Sequence, residues 1–151
     1  MFDRGEGTAQ NDDVAAKWYL KSAESGDDGC KFNLGLMYLD GRGVPKNIGE
    51  AVKWWIKAAD QGNASAQLNV GVSFENGDGV PQDKSQAVHY YNLACKSESS
   101  KGCFSAGVLY YNGQGVSRDK DSGIALIRQA LKLDPKNEKA KDVLKQLGLD
   151  P

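Results

Sequence analysis

The chain has 151 residues, 19 basic and 20 acidic, and a formal net charge of -1. That balance lacks the basic footprint of a nucleic-acid binder, and no apolar run approaches the roughly 18 residues of a membrane span. Three cysteines are too few for a disulfide scaffold and enough for one bridge and one free thiol. Met1 is followed by Phe2-Asp3-Arg4-Gly5, which is not the basic-then-apolar opening of a signal peptide.

The segment Asn33 to Gly62 recurs twice at an offset of 36 residues. Gly35 returns as Gly71 and Gly107. Gly41 and Gly43 return as Gly77 and Gly79, then as Gly113 and Gly115. Val44, Val80 and Val116 share a column, as do Ala58, Ala94 and Ala130. Self-similarity at a fixed period marks a stacked repeat array. It predicts an all-α chain with a partial unit at 1–26, full units at 27–62, 63–98 and 99–134, and a capping helix in 135–151.

The array opens mid-unit. Phe2 falls in the column of Tyr38, Phe74 and Tyr110, and Gly5 and Gly7 fall in the two loop-glycine columns. Half of that unit's first helix is therefore expected to be missing, through trimming or a frayed natural start. A helix is predicted from about Val14 to Ser25, with Ala15, Trp18, Tyr19 and Ala23 on its apolar face. Asn11 is its expected N-cap, in the column of Asn47, Asp83 and Asp119. A short side-chain oxygen there can take an orphan amide of the first turn. Asn47 with Glu50, and Asp83 with Gln86, resemble capping boxes, and Gly26 and Gly62 stand where these helices should end.

The other helix of each unit starts at a second cap column, Asp27, Asn63 and Ser99, and runs to about Asp40, Asn76 and Asn112. It carries two apolar faces. One holds Leu34, Val70 and Ala106 with Tyr38, Phe74 and Tyr110. The other holds Phe32, Leu68 and Phe104 with Leu36, Val72 and Val108. A helix apolar on two sides is sandwiched between neighbours. Gly35, Gly71 and Gly107 lie inside it, where glycine costs about 1 kcal/mol against alanine. Close approach of another helix is the expected reason. The last unit departs from the pattern: its second helix, Ser122 to Leu133, runs into Asp134-Pro135. A final helix, about Asn137 to Leu147, puts Ala140, Val143, Leu144 and Leu147 on one face, with Lys136, Lys139, Lys141 and Lys145 making the rest polar. Terminal repeats need such a polar outer side.

These columns resemble the Sel-one-like repeat family, relatives of the tetratricopeptide repeat. The motif reads Cys30, Leu34-Gly35, Tyr38, Gly41-x-Gly43-Val44, Ala51, Trp54-Trp55, Ala58-Ala59 and Gly62. It reads again as Ala66, Val70-Gly71, Phe74, Gly77-x-Gly79-Val80, Ala87, Tyr90-Tyr91 and Ala94. Glu98 in place of the terminal glycine and Gly123 in place of a helix alanine are departures. The resemblance implies antiparallel helix pairs wound into a right-handed superhelical solenoid. It also implies a non-catalytic protein-binding role, such as an adaptor, an assembly factor or an immunity-type factor capturing a bacterial protein. No cofactor is implied, and a monomer is favoured.

Cys95 and Cys103 are spaced as in the cysteine-rich bacterial branch of this family, where such a pair forms a disulfide. Cys95 lies in the small-residue column of Ala23 and Ala59, which also suits a plain core residue, whereas Cys103 replaces the polar Lys31 and Gln67. A bridge would imply an oxidising compartment, the periplasm or outside the cell. Without one, a cytoplasmic location stands as the alternative. Cys30 reads as a buried free thiol. His89, Cys95 and Cys103 match no metal-site spacing, so no metal is expected.

Some cysteine-rich relatives are associated with β-lactams, so a periplasmic binder or hydrolase of β-lactams or cell-wall peptides is the alternative function. Its one local echo is Ser117-Arg118-Asp119-Lys120. That Ser-x-x-Lys match sits at a loop and helix cap, without the accompanying Ser-Asp-Asn and Lys-Thr-Gly segments.

The resemblance places the first helix of each unit on the concave surface. The strip left over from its two apolar faces is Asn33, Met37 and Asp40, then Asn69, Ser73 and Asn76, then Ser105, Leu109 and Asn112. Tyr111 joins it, in a column with Leu39 and Glu75. Amides can bond an extended backbone, and apolar anchors supply most of the energy of a typical hot spot. A protein or peptide partner is expected on this strip, with Met37, Leu109 and Tyr111 as anchors.

Overall fold

The computed structural model describes residues 4–151, with side chains from residue 11 onward. Eight helices and no strand occur among the described residues: α1 (Arg4–Glu24), α2 (Asp28–Asp40), α3 (Ile48–Asp60), α4 (Ala64–Asn76), α5 (Lys84–Lys96), α6 (Ser100–Asn112), α7 (Lys120–Leu133) and α8 (Glu138–Gln146). Each helix packs against its neighbours in the chain, giving antiparallel pairs in a right-handed superhelical solenoid.

Local chemistry sets the helix starts. The side chains of Asp27, Asn63 and Ser99 accept the backbone N–H three residues on, at Cys30, Ala66 and Gly102. Asn137 does the same for Ala140, so α8 begins as the first helices of the units do. The bond from the Cys30 N–H also holds the Asp27 carboxyl below its ordinary pKa. Asn47, Asp83 and Asp119 cap α3, α5 and α7. Their own N–H groups donate to Tyr38, Phe74 and Tyr110 carbonyls at 2.9, 2.8 and 2.9 Å. This replaces the reciprocal half of the expected capping boxes, and the Glu50 carboxylate pairs with Lys53 instead.

The N-terminal expectation is corrected. Gly5, Gly7 and Asn11 lie within the continuous helix α1, so no glycine loop forms there and Asn11 is not its N-cap. The carbonyl that would hold the Asn11 N–H belongs to Phe2, outside the described residues.

The helical glycines are places of close approach. A Cβ on Gly35 would enter the Trp55 ring, and one on Gly71 would stand 2.6 Å from two ring carbons of Tyr91. Trp55 donates its indole N–H to the Phe32 carbonyl at 3.2 Å. In the last unit that ring column holds Ile127, and Gly123 moves in to meet Gly107 directly, each Cβ position lying within 2.8 Å of the other's carbonyl. The departure at Gly123 is therefore part of the packing.

Each unit is also clipped to the one before it at a single column. Lys31 donates to the Gly26 carbonyl at 3.3 Å, and buried Gln67 to the Ala59 carbonyl at 3.2 Å. At the positions matching Ala59 and Gln67, Cys95 and Cys103 are joined by a disulfide.

Between these two cysteines Glu98 takes φ 63°, the one positive φ outside glycine among the described residues. Gly26 and Gly62 hold this place earlier, at φ 112° and 99°. A side chain is strained there, so Glu98→Gly is expected to raise stability by about 0.5–1 kcal/mol. Urea unfolding measures this; a loss of stability would show that the loop carries no strain.

At the C-terminus Ala140 and Leu144 of α8 are fully buried against Cys103, Ile127 and Ala130. Beyond the expected helix, Gly148 turns at φ 69° and Leu149 folds back, its N–H donating to Leu144.

Candidate functional site

α2, α4 and α6 are the sandwiched helices, and the side they leave open decides what they can bind. The buried positions of α2 are Cys30, Leu34, Gly35 and Met37. Those of α4 include Val70, Gly71 and Ser73, and those of α6 include Ala106, Gly107 and Leu109. The column of Met37, Ser73 and Leu109 is thus interior, with exposures of 4%, 4% and 1%. Leu109 packs with Ala87, Val88 and Tyr91 of α5. This corrects the expectation that Met37 and Leu109 are presented to a partner: both side chains are buried in the interior.

The open strip lies one residue step around the helix, about 100°. It runs through Asn33 and Leu36, then Asn69 and Val72, then Ser105 and Val108. Val72, assigned from sequence to a buried face, is 41% exposed. Of the remaining expected residues, Asp40 is exposed and pairs with Arg42 at 3.6 Å. Asn76 is exposed and reaches Asp78 at 3.5 Å, and Asn112 is exposed. Tyr111 is half-buried, with the Lys120 ammonium 5.6 Å from its ring centroid. Ser117 and Lys120 are both exposed, and Asp119 between them caps α7.

One cavity of about 400 Å³ opens on this strip. Val72 and Asn69 of α4 form one wall, Leu39 of α2 and Ile48 of α3 the other, Trp55 and Ser73 the floor, and Asp78 the rim. Of the expected strip it gathers Asn69 and Ser73 only. Leu39, Ile48, Trp55, Val72 and Asp78 were missed. The signal that could have found them is the column of Leu39, Glu75 and Tyr111, where residue type changes at every unit.

The same place one unit later is lined by different side chains. Glu75 stands where Leu39 stood and accepts a hydrogen bond from the Tyr91 hydroxyl at 2.5 Å. Burial first, then the Glu75 carboxylate, pushes the Tyr91 hydroxyl's pKa far up. Lys84 replaces Ile48, and buried Leu109 replaces Ser73. The first subsite is apolar and open; the second carries Glu75 and Lys84 at the positions of Leu39 and Ile48.

The profile of the Sel1 repeat matches residues 1–27, 30–63, 64–99 and 100–135. The chain belongs to the Sel1 repeat family. Among solved structures, a Sel1 repeat protein from Oxalobacter formigenes is 32% identical at a TM-score of 0.80, over 85% of this chain and 52% of that one. A protective antigen present in uropathogenic Escherichia coli strains, displaying the same repeat fold, is 33% identical at 0.79, over 88% of this chain and 29% of that one. This Sel1 array therefore spans about half the length of the first and less than a third of the second. Helicobacter pylori cysteine rich protein B shares the fold at 23% identity and a TM-score of 0.68, over 90% of this chain and 96% of that one. No curated protein sequence matches. Sel1 repeats generally serve as protein–protein interaction modules, and no described helix of this array is long and apolar enough to cross a membrane.

Proposed function

We propose that this chain is a non-catalytic interaction module that captures a bacterial protein or peptide in the groove between α2 and α4. The observation that carries the reading is the open cavity beside Val72, where apolar walls and a half-buried amide meet at an exposed face. Apolar pockets with a few placed polar groups are the usual form of a binding site. The place of action is an oxidising compartment, the periplasm or outside the cell. The Cys95–Cys103 disulfide supports it, because such bonds persist where thiols are not kept reduced.

The test is capture from an extract of the source cell with the native chain and with Val72→Arg. Val72 is exposed, so the variant stays folded. One protein retained by the native chain and reduced at least tenfold by the variant is expected. Equal recovery with both would remove the groove from consideration.

A further inference from the structure

The cavity is apolar, but a carboxylate and a helix C-terminus stand at the end of the groove into which it opens. Asp78 stands on its rim. The C-terminus of α4, at Asn76, lies one helical turn beyond Val72. The helix ends themselves point the same way. A helix C-terminus carries partial negative charge, which a Lys or Arg in the last turn ordinarily offsets. The second helices of the units follow that rule, with Lys57, Lys96 and Lys132 in their last turns. The first helices, α2, α4 and α6, have no basic residue in theirs. The loop beyond brings Lys46 beside the cap Gly41 of α2 and Arg118 to the Tyr111 carbonyl of α6. At α4 that column holds neutral Gln82, which donates to the Glu75 carbonyl at 2.8 Å.

Lys46, two residues before Ile48, lies beside Gly41 at the end of α2 and makes no ion pair with Asp78. Arg42 pairs with Asp40. Lys84 stands one unit further along, in the place that Ile48 holds here. None of the ion pairs among the described residues includes Asp78.

We propose that the groove takes an extended peptide whose apolar side chain fills the α2–α4 cavity and whose adjacent Lys or Arg sits at Asp78 by the C-terminal end of α4. This rests on the binding reading above and specifies its ligand. The apolar residue is held by Leu39, Ile48 and Val72. Asn69 stands on the cavity wall where it can bond the peptide backbone. The cation brings to the end of α4 the charge that neutral Gln82 does not supply.

The probes are three dye-labelled, N-acetylated hexapeptide pools with fixed central Leu-Lys, Leu-Gln or Leu-Glu, measured by fluorescence anisotropy. The Leu-Lys pool is expected to bind about tenfold tighter than Leu-Glu, and Asp78→Asn to reduce that preference about fivefold. Val72→Arg is expected to weaken every pool. Equal or tighter binding of Leu-Glu, sensitive to Val72→Arg, would overturn the basic-peptide assignment and leave the groove standing. Binding insensitive to Val72→Arg would overturn the groove as well. Failure of all three pools to bind would overturn the peptide assignment, while capture of a folded protein by the native chain alone would keep the groove.

Discussion

Gly71→Val is expected to lower the unfolding free energy by about 3 kcal/mol, the upper range for overpacking a tight core. The new Cβ would stand 2.6 Å from Cδ1 and Cε1 of Tyr91. That ring is 1% exposed, and its hydroxyl is tied to Glu75. It can withdraw only by breaking that bond and shifting α5 away from α4. Valine recovers only a few tenths of a kcal/mol of helix propensity over glycine. Gly29→Ala is the control, because its Cβ would meet only Asp27, at 3.4 Å. Urea midpoints with unchanged slopes measure both. A Gly71→Val midpoint equal to the native one would mean that α4 and α5 are not in close contact.

Replacing Cys95 and Cys103 together by alanine is expected to remove about 2.5 kcal/mol, the chain-entropy value for so short a loop. Reductant should lower the melting temperature of the native chain and leave the variant's unchanged. Thiol titration of the denatured, unreduced chain should find one group, Cys30, and three after reduction. Cys30 is the free cysteine and is buried, and burial pushes its thiol pKa up. A Cys95→Ala, Cys103→Gln pair copies the clip that Ala59 and Gln67 make one unit earlier. It should recover about 1 kcal/mol, the worth of one hydrogen bond. Three free thiols in the unreduced chain would remove the disulfide and the argument for an oxidising compartment.

The periodicity carried most of the fold. The cap columns, the helical glycines and the apolar stripes are local requirements that every unit must meet, so they repeat and can be read. The open face was harder. Met37, Ser73 and Leu109 differ as exposed residues do, yet all three are interior. Val72 was taken for core since it shares a column with Leu36 and Val108, which remain half-buried. Column averages conceal the unit in which a face is uncovered. The pairing of Cys95 with Cys103 came from family resemblance. Its physical reason, the same contact made elsewhere by Gln67 and Ala59, needed the structure.

In a repeat array each unit touches only its neighbours, so order is passed along one dimension. The covalent clip lies between α5 and α6, and α8 closes the end beyond it. Disorder entering from α1 crosses junctions held by hydrogen bonds before it reaches one that cannot separate. Reduction makes that junction like the others, and the groove of α2 and α4 on one side and α8 on the other are then coupled through noncovalent packing alone.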